Sequence, residues 1–131
     1  MSAPPLMDWA RAFVEATDGD PELAAHGRYY TCTYLLDMEV HTVVVWMVAG
    51  KVAELSVDTG PLDVPYQFLV RAGAETWRRF ATPVPDPMYH GIFAASFQRD
   101  MTLEGDVLVL MQNLRCFVRQ IELLRTTGVP V

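Results

Sequence analysis

The chain has 131 residues, room for one domain with a real core, and its 51% hydrophobic and 11% aromatic content excludes a disordered class. Sixteen acidic residues against ten Lys and Arg give a formal charge of −6, and the only adjacent basic pair is Arg78-Arg79. That balance excludes a nucleic-acid partner, which needs clustered Lys and Arg on phosphates, and disfavours an anionic membrane surface.

Pro4-Pro5 opens the chain, and Leu6, Trp9, Ala10, Phe13 and Val14 keep helical spacing to about Thr17, where Asp18-Gly19 stops the helix. Asp20-Pro21 sets a cap and an N1 proline before one helical turn over 22–25, closed by Gly27. Residues 29–37, 39–49 and 51–58 are rich in β-branched and aromatic side chains and read as strands, with Gly50 at a hairpin tip. The loop length there decides which of Trp46 and Met47 faces inward, because a one-residue slip flips every side chain. Val64, Tyr66, Phe68 and Val70 alternate with Gln67 and Arg71 as a fourth strand, continuing a meander. From Gly73 a helix carries Trp77, Phe80 and Ala81 on one side and Arg78 and Arg79 on the other. The proline-rich 82–87 reads as a rigid connector, and 88–97 as a further helix.

Residues 101–125 close the pattern. Met101, Leu103 and Gly105 alternate with Thr102 and Glu104 as a short strand, and Asp106 is a good N-cap. Val107, Leu110, Met111, Leu114, Phe117, Val118, Ile121 and Leu124 then follow helical spacing in one long helix, with Gln112, Arg115, Arg119 and Glu122 opposite. Leu108, Val109, Cys116 and Leu123 widen the apolar stripe beyond one core contact. Strands grouped before helices predict an α+β fold with a largely antiparallel sheet. One domain over 1–131 follows, with an N-terminal helix in 1–19, a strand meander in 28–71, helices in 73–98 and the strand–helix unit of 101–125.

Catalytic patterns are absent from the sequence. His26, His41 and His90 share no zinc-site spacing, and no serine sits in a nucleophile elbow. The glycines form no phosphate loop. Glu39 and His41 share one face of a strand and Asp37 continues that row, either as an acid–base or metal set or as a solvated strand beginning. Cys32 and Cys116 lie far apart in apolar runs and read as reduced, buried thiols of a cytoplasmic protein. The N-terminus has no signal-peptide pattern, and the longest apolar run, 43–50, is too short to span a bilayer, so no stable membrane insertion is expected. The mean hydropathy of +0.16 points to apolar surface buried in a pocket or an interface. Trp77, Phe80, Phe93, Phe97, Met101, Leu108, Met111, Leu114 and Phe117 cluster in the C-terminal half as candidate lining residues, although such a stripe also describes a plain core.

Asp86-Pro87 before an amphipathic helix, a short strand ending in Gly105-Asp106 and a long apolar helix, after a glycine-tipped hairpin, together resemble the sterol carrier protein type 2 domain over about residues 24–125. The resemblance implies a sheet of about five largely antiparallel strands, covered by helices around an apolar tunnel. It implies a non-catalytic carrier or accessory domain, without cofactor or metal, for sterols, fatty acids or fatty acyl-CoAs. Gly105 and Asp106 match the junction that starts the helix walling the tunnel. The family's lysines before that strand are replaced by Arg99-Asp100, and the peroxisomal tail of eukaryotic members is missing, consistent with a cytoplasmic, bacterial setting. Only Arg78, Arg79 or Arg99 could clamp a phosphate, so an uncharged or carboxylate lipid is favoured. Two other readings stand beside this one. A small cone-fold isomerase or cyclase would need Asp37, Glu39, His41 or Asp58 buried in a pocket, and a homodimeric interaction module would bury the surplus apolar surface without a ligand.

Overall fold

Six residues that alternate between two apolar surroundings form the central strand. In the computed structural model, which describes residues 5–58, 65–81 and 101–131, β1 is Cys32–Asp37. Cys32, Tyr34 and Leu36 point to a helix-covered core, and Leu35 points to the opposite face. The remaining strands are β2 Thr42–Val48, β3 Lys51–Val57, β4 Phe68–Arg71 and β5 Thr102–Gly105, in the sheet order β3-β2-β1-β4-β5. The helices are α1 Leu6–Asp18, α2 Pro21–His26, α3 Ala74–Phe80, α4 Val107–Gln112, α5 Leu114–Glu122 and α6 Leu124–Thr127. A 3₁₀ turn, Gly27–Tyr29, follows α2.

The α+β class and largely antiparallel sheet are as expected, with one parallel pair among the described strands. The predicted meander stops at its third strand. β4 does not extend the edge of β3; it lies parallel to β1, with Tyr34 opposite Phe68 and Leu36 opposite Val70. The inward rings of Tyr34 and Phe68 stack there with centroids 5.6 Å apart. Gln67 joins the strand start to β1 twice, donating its amide to Thr33 O at 2.8 Å and accepting from the Thr33 amide at Oε1, 2.9 Å. Adjacency of consecutive strands is only a tendency, and burial of two large rings outweighs it here.

The hairpin resolves to a two-residue loop. Ala49 and Gly50 have φ of 51° and 80°, the paired positive values of a type I′ turn. Met47 is therefore buried and Trp46 faces outward.

Where the sequence predicts one long helix, three short ones form. Asn113 bends the chain between α4 and α5, and its side-chain amide donates to Val109 O at 2.9 Å, competing with the helical ladder. The buried positions nevertheless keep one helical phase across the break, from Leu110 through Phe117 and Ile121 to Leu124. Only Leu110 of α4 is buried, whereas α5 and the residues after it bury Phe117, Gln120, Ile121, Leu123 and Leu124. At the other end of the chain, the Trp9 indole donates to Gly128 O at 2.6 Å and ties α1 to the turn after α6.

Candidate functional site

The C-terminal helices meet the sheet through an aromatic trio. Phe117 of α5 sets its edge on Tyr34 at 4.9 Å and on Phe68 at 5.1 Å, both in near-perpendicular geometry. Beside it the Trp77 indole of α3 donates to Asp37 O at 2.9 Å, which fixes α3 against the end of β1. Trp77, Phe80, Met101 and Phe117, four of the nine predicted lining residues, are fully buried. Leu114 is half-buried. Leu108 and Met111 stand 67% and 54% exposed, with Val107 beside them, on a helix turn that carries no charge. Phe93 and Phe97 lie outside the described residues. The structure thus divides the predicted set into an interior group and an apolar outer face of α4.

A cleft of about 870 Å³ opens where β1 and β4 end and β5 begins, beside the start of α3. Ala72, Gly73 and Leu103 line it, and Asp37, Glu39, Arg71 and Glu104 rim it. The rim charges are committed to structure. Arg71 donates from Nε to Asp37 at 3.0 Å and from Nη1 to Glu104 at 2.9 Å. Glu39, at φ 71°, accepts the Ala74 amide at 2.8 Å and so caps α3 from a separate loop. Of the predicted phosphate clamps, Arg78 and Arg79 both donate to Glu75, holding its carboxyl below the usual range, and Arg99 lies outside the described residues.

The predicted row Asp37–Glu39–His41 does not form. β1 ends at Asp37 and β2 begins at Thr42, so Glu39 and Val40 occupy the intervening bend rather than a strand. His41 turns to Asp58 at 3.1 Å, while Asp37 faces Arg71. None of Asp37, Glu39, His41 and Asp58 is buried, which removes the condition that the cone-fold enzyme reading set. The thiols are poor nucleophiles. Burial pushes Cys32 up to about 12 and raises half-buried Cys116 as well, leaving both protonated near neutrality. Among the described residues no group of His, Cys, Asp and Glu is arranged to hold a metal ion, and no helix is long and apolar enough to cross a membrane.

Two polar sets inside the helical layer were not foreseen. The Tyr30 hydroxyl donates to Gln120 Oε1 at 2.6 Å, and Gln120 Nε2 donates to Thr17 Oγ1 at 3.2 Å. Arg119 makes a fork on Asp20, at 2.7 and 3.1 Å, while Asp20 also caps α2 through the Leu23 amide. The spacing 117, 120, 121, 124 carried a signal for Gln120, since it falls on the core-facing positions of its helix. The Tyr34 hydroxyl, fully buried, has no hydrogen-bond partner among the described residues.

No protein-family profile matches this sequence, and no curated protein sequence matches it. Solved structures do match the fold. A crystal structure of sterol carrier protein 2 covers 90% of this chain and 94% of its own, with a TM-score of 0.67 at 15% identity. The solution structure of the conserved hypothetical protein TT1886 from Thermus thermophilus, described as possibly a sterol carrier protein, covers 94% of both chains, with a TM-score of 0.62 at 15% identity. The UbiJ-SCP2 ubiquinone synthesis protein covers 92% of this chain and 91% of its own, with a TM-score of 0.55 at 14% identity. The chain has a sterol carrier protein 2-like fold.

Proposed function

We propose that this single-domain chain is a non-catalytic, cytoplasmic carrier of an apolar small molecule of the sterol or fatty-acyl class. The observation that carries the reading is the α4 face: Val107, Leu108 and Met111 stand exposed on a charge-free helical turn in a fold shared with sterol carrier protein 2. Exposed apolar side chains in a row mark ligand or partner surfaces more than ordinary solvent-facing helix. In this reading Leu108, Met111 and Leu114 contact the ligand, Phe93 and Phe97 complete the lining, and Trp77, Phe80, Met101 and Phe117 form the rigid floor. Methionine suits such a wall because its thioether adapts to varied shapes. The committed state of Arg71, Arg78 and Arg79 favours an uncharged or carboxylate lipid over a phosphate-bearing one.

Delipidated protein titrated with fluorescent fatty-acid and sterol probes tests the proposal, and mass spectrometry of lipid extracted from the purified protein identifies the class. An isoprenoid quinone belongs in the panel, because one fold neighbour is a ubiquinone synthesis protein. Saturable binding in the micromolar range is expected for at least one class. Its absence for every member overturns the reading.

A further inference from the structure

The sheet face opposite the core that the described helices cover carries a recess of its own. β2 turns Val43, Val45 and Met47 into the core, so Val44 and Trp46 point the other way. The β2–β3 ladder then skips a residue: Trp46 pairs with Glu54 and Met47 with Val52, leaving Ala53 out of the pairing. This bulge sets Glu54 directly across from Trp46 on the same face. Around the pair lies a recess of about 260 Å³, with buried Val44 at its floor, Trp46 and Pro65 as walls, and Thr33 and Ser56 at the rim.

We infer that this recess is a binding site for a small alkylammonium ion, separate from the lipid site proposed above. The Trp46 ring is 46% exposed and offers a π face. Glu54 makes no hydrogen bond or ion pair with any described residue. Lys51, the basic residue of β2 and β3, is engaged elsewhere, donating to Asp18 O at 3.0 Å. A carboxylate beside an aromatic face attracts a cation. The apolar floor selects which cation. A metal ion needs several oxygen ligands, and a bare ammonium such as lysine's is strongly hydrated, so neither fits Val44 and Pro65. A methylated ammonium carries an apolar shell, and the recess falls just below the volume of drug-sized pockets, as a compact ion requires.

Choline and its neutral isostere 3,3-dimethylbutan-1-ol, titrated into the purified protein under heteronuclear NMR, test the assignment with sodium chloride as the ionic-strength control. Choline should produce saturable shifts of the Trp46 indole signal and the Val44 and Ser56 amides in the millimolar range, with the alcohol about tenfold weaker. Trp46→Leu should abolish the amide shifts and Glu54→Gln should weaken them about tenfold, with the signals of the core residues unchanged because neither side chain belongs to the core. Equal response to the alcohol, no saturable response to choline, or choline shifts that survive Trp46→Leu would each overturn the assignment. Lipid binding is read separately and does not enter these outcomes.

Discussion

Gly105 offers the sharpest test of how the strand–helix unit is built. Its φ is 102°, and a Cβ placed there would lie 2.8 Å from Gln67 O and 2.9 Å from Phe68 Cα. Both obstacles are backbone atoms of the neighbouring strand, so no side-chain rotation relieves them. The same carbonyl accepts the Asp106 amide at 2.7 Å, the bond that sets the direction of α4. Gly105→Ala therefore combines about 1–3 kcal/mol of backbone strain with about 1–3 kcal/mol of overpacking. Gly128→Ala is the internal control, with φ 73° and nothing within 4 Å of the added carbon, so it incurs the strain alone. Urea unfolding followed by tryptophan fluorescence should place Gly105→Ala about 2–6 kcal/mol below the parent and Gly128→Ala about 1–3 kcal/mol below it. If the two variants lost equal stability, the close approach of β4 and β5 at Gly105 would not be what requires glycine.

Met111→Asp, at a side chain 54% exposed, should leave stability within about 0.5 kcal/mol while abolishing lipid binding; retained binding would remove α4 from the site. Phe117→Ala, by contrast, should lower stability by about 3–5 kcal/mol in a denaturant titration, because it empties the centre of the aromatic trio. Tyr30→Phe strands the buried Gln120 carbonyl and should cost about 1–3 kcal/mol, whereas Tyr34→Phe removes a hydroxyl without a partner and should be neutral or stabilising by thermal melting. The Arg119 fork holds Asp20 below its ordinary value of 3.8. The unfolded chain therefore takes up the proton first, so the stabilisation is complete above 3.8 and lost as pH falls through the native value. Asp20→Asn should flatten that acid limb in stability measured against pH, and an unchanged limb would show that other carboxylates govern it.

Local signals in the sequence carried most of the elements. Asp20-Pro21 and Asp106 cap their helices through the Leu23 and Val109 amides, as residue type and spacing alone suggested. Strand alternation grouped Phe68 with Val70, and both point inward, whereas Tyr66 from the same expected row lies before β4 and packs against the cluster on the opposite face. What local signals could not give was the crossing of β4 to β1, since a parallel neighbour is chosen by ring packing between residues 34 and 68, far apart in sequence. The break at Asn113 was equally hidden: an uninterrupted apolar period masked a side chain that competes for the helix's own carbonyls.

The same break explains why the candidate site was only partly legible. In an ideal continuous helix Val107, Met111 and Leu114 flank the side that carries Leu110, Phe117 and Ile121, close enough for a modest rotation of the first turns to bury them. Asn113 interrupts the helix, and α4 before it buries Leu110 alone. The surplus width of the stripe is thereby converted into exposed surface at Leu108 and Met111 rather than extra core. Removing the competing amide puts this to a direct test. Asn113→Leu should straighten the junction, draw Met111 toward the interior and weaken lipid binding. Solvent protection of a spin-labelled or fluorine-labelled residue at position 111 would report the change. If position 111 stayed as accessible in the variant as in the parent, the bend would owe its existence to tertiary packing and not to the Asn113 side chain.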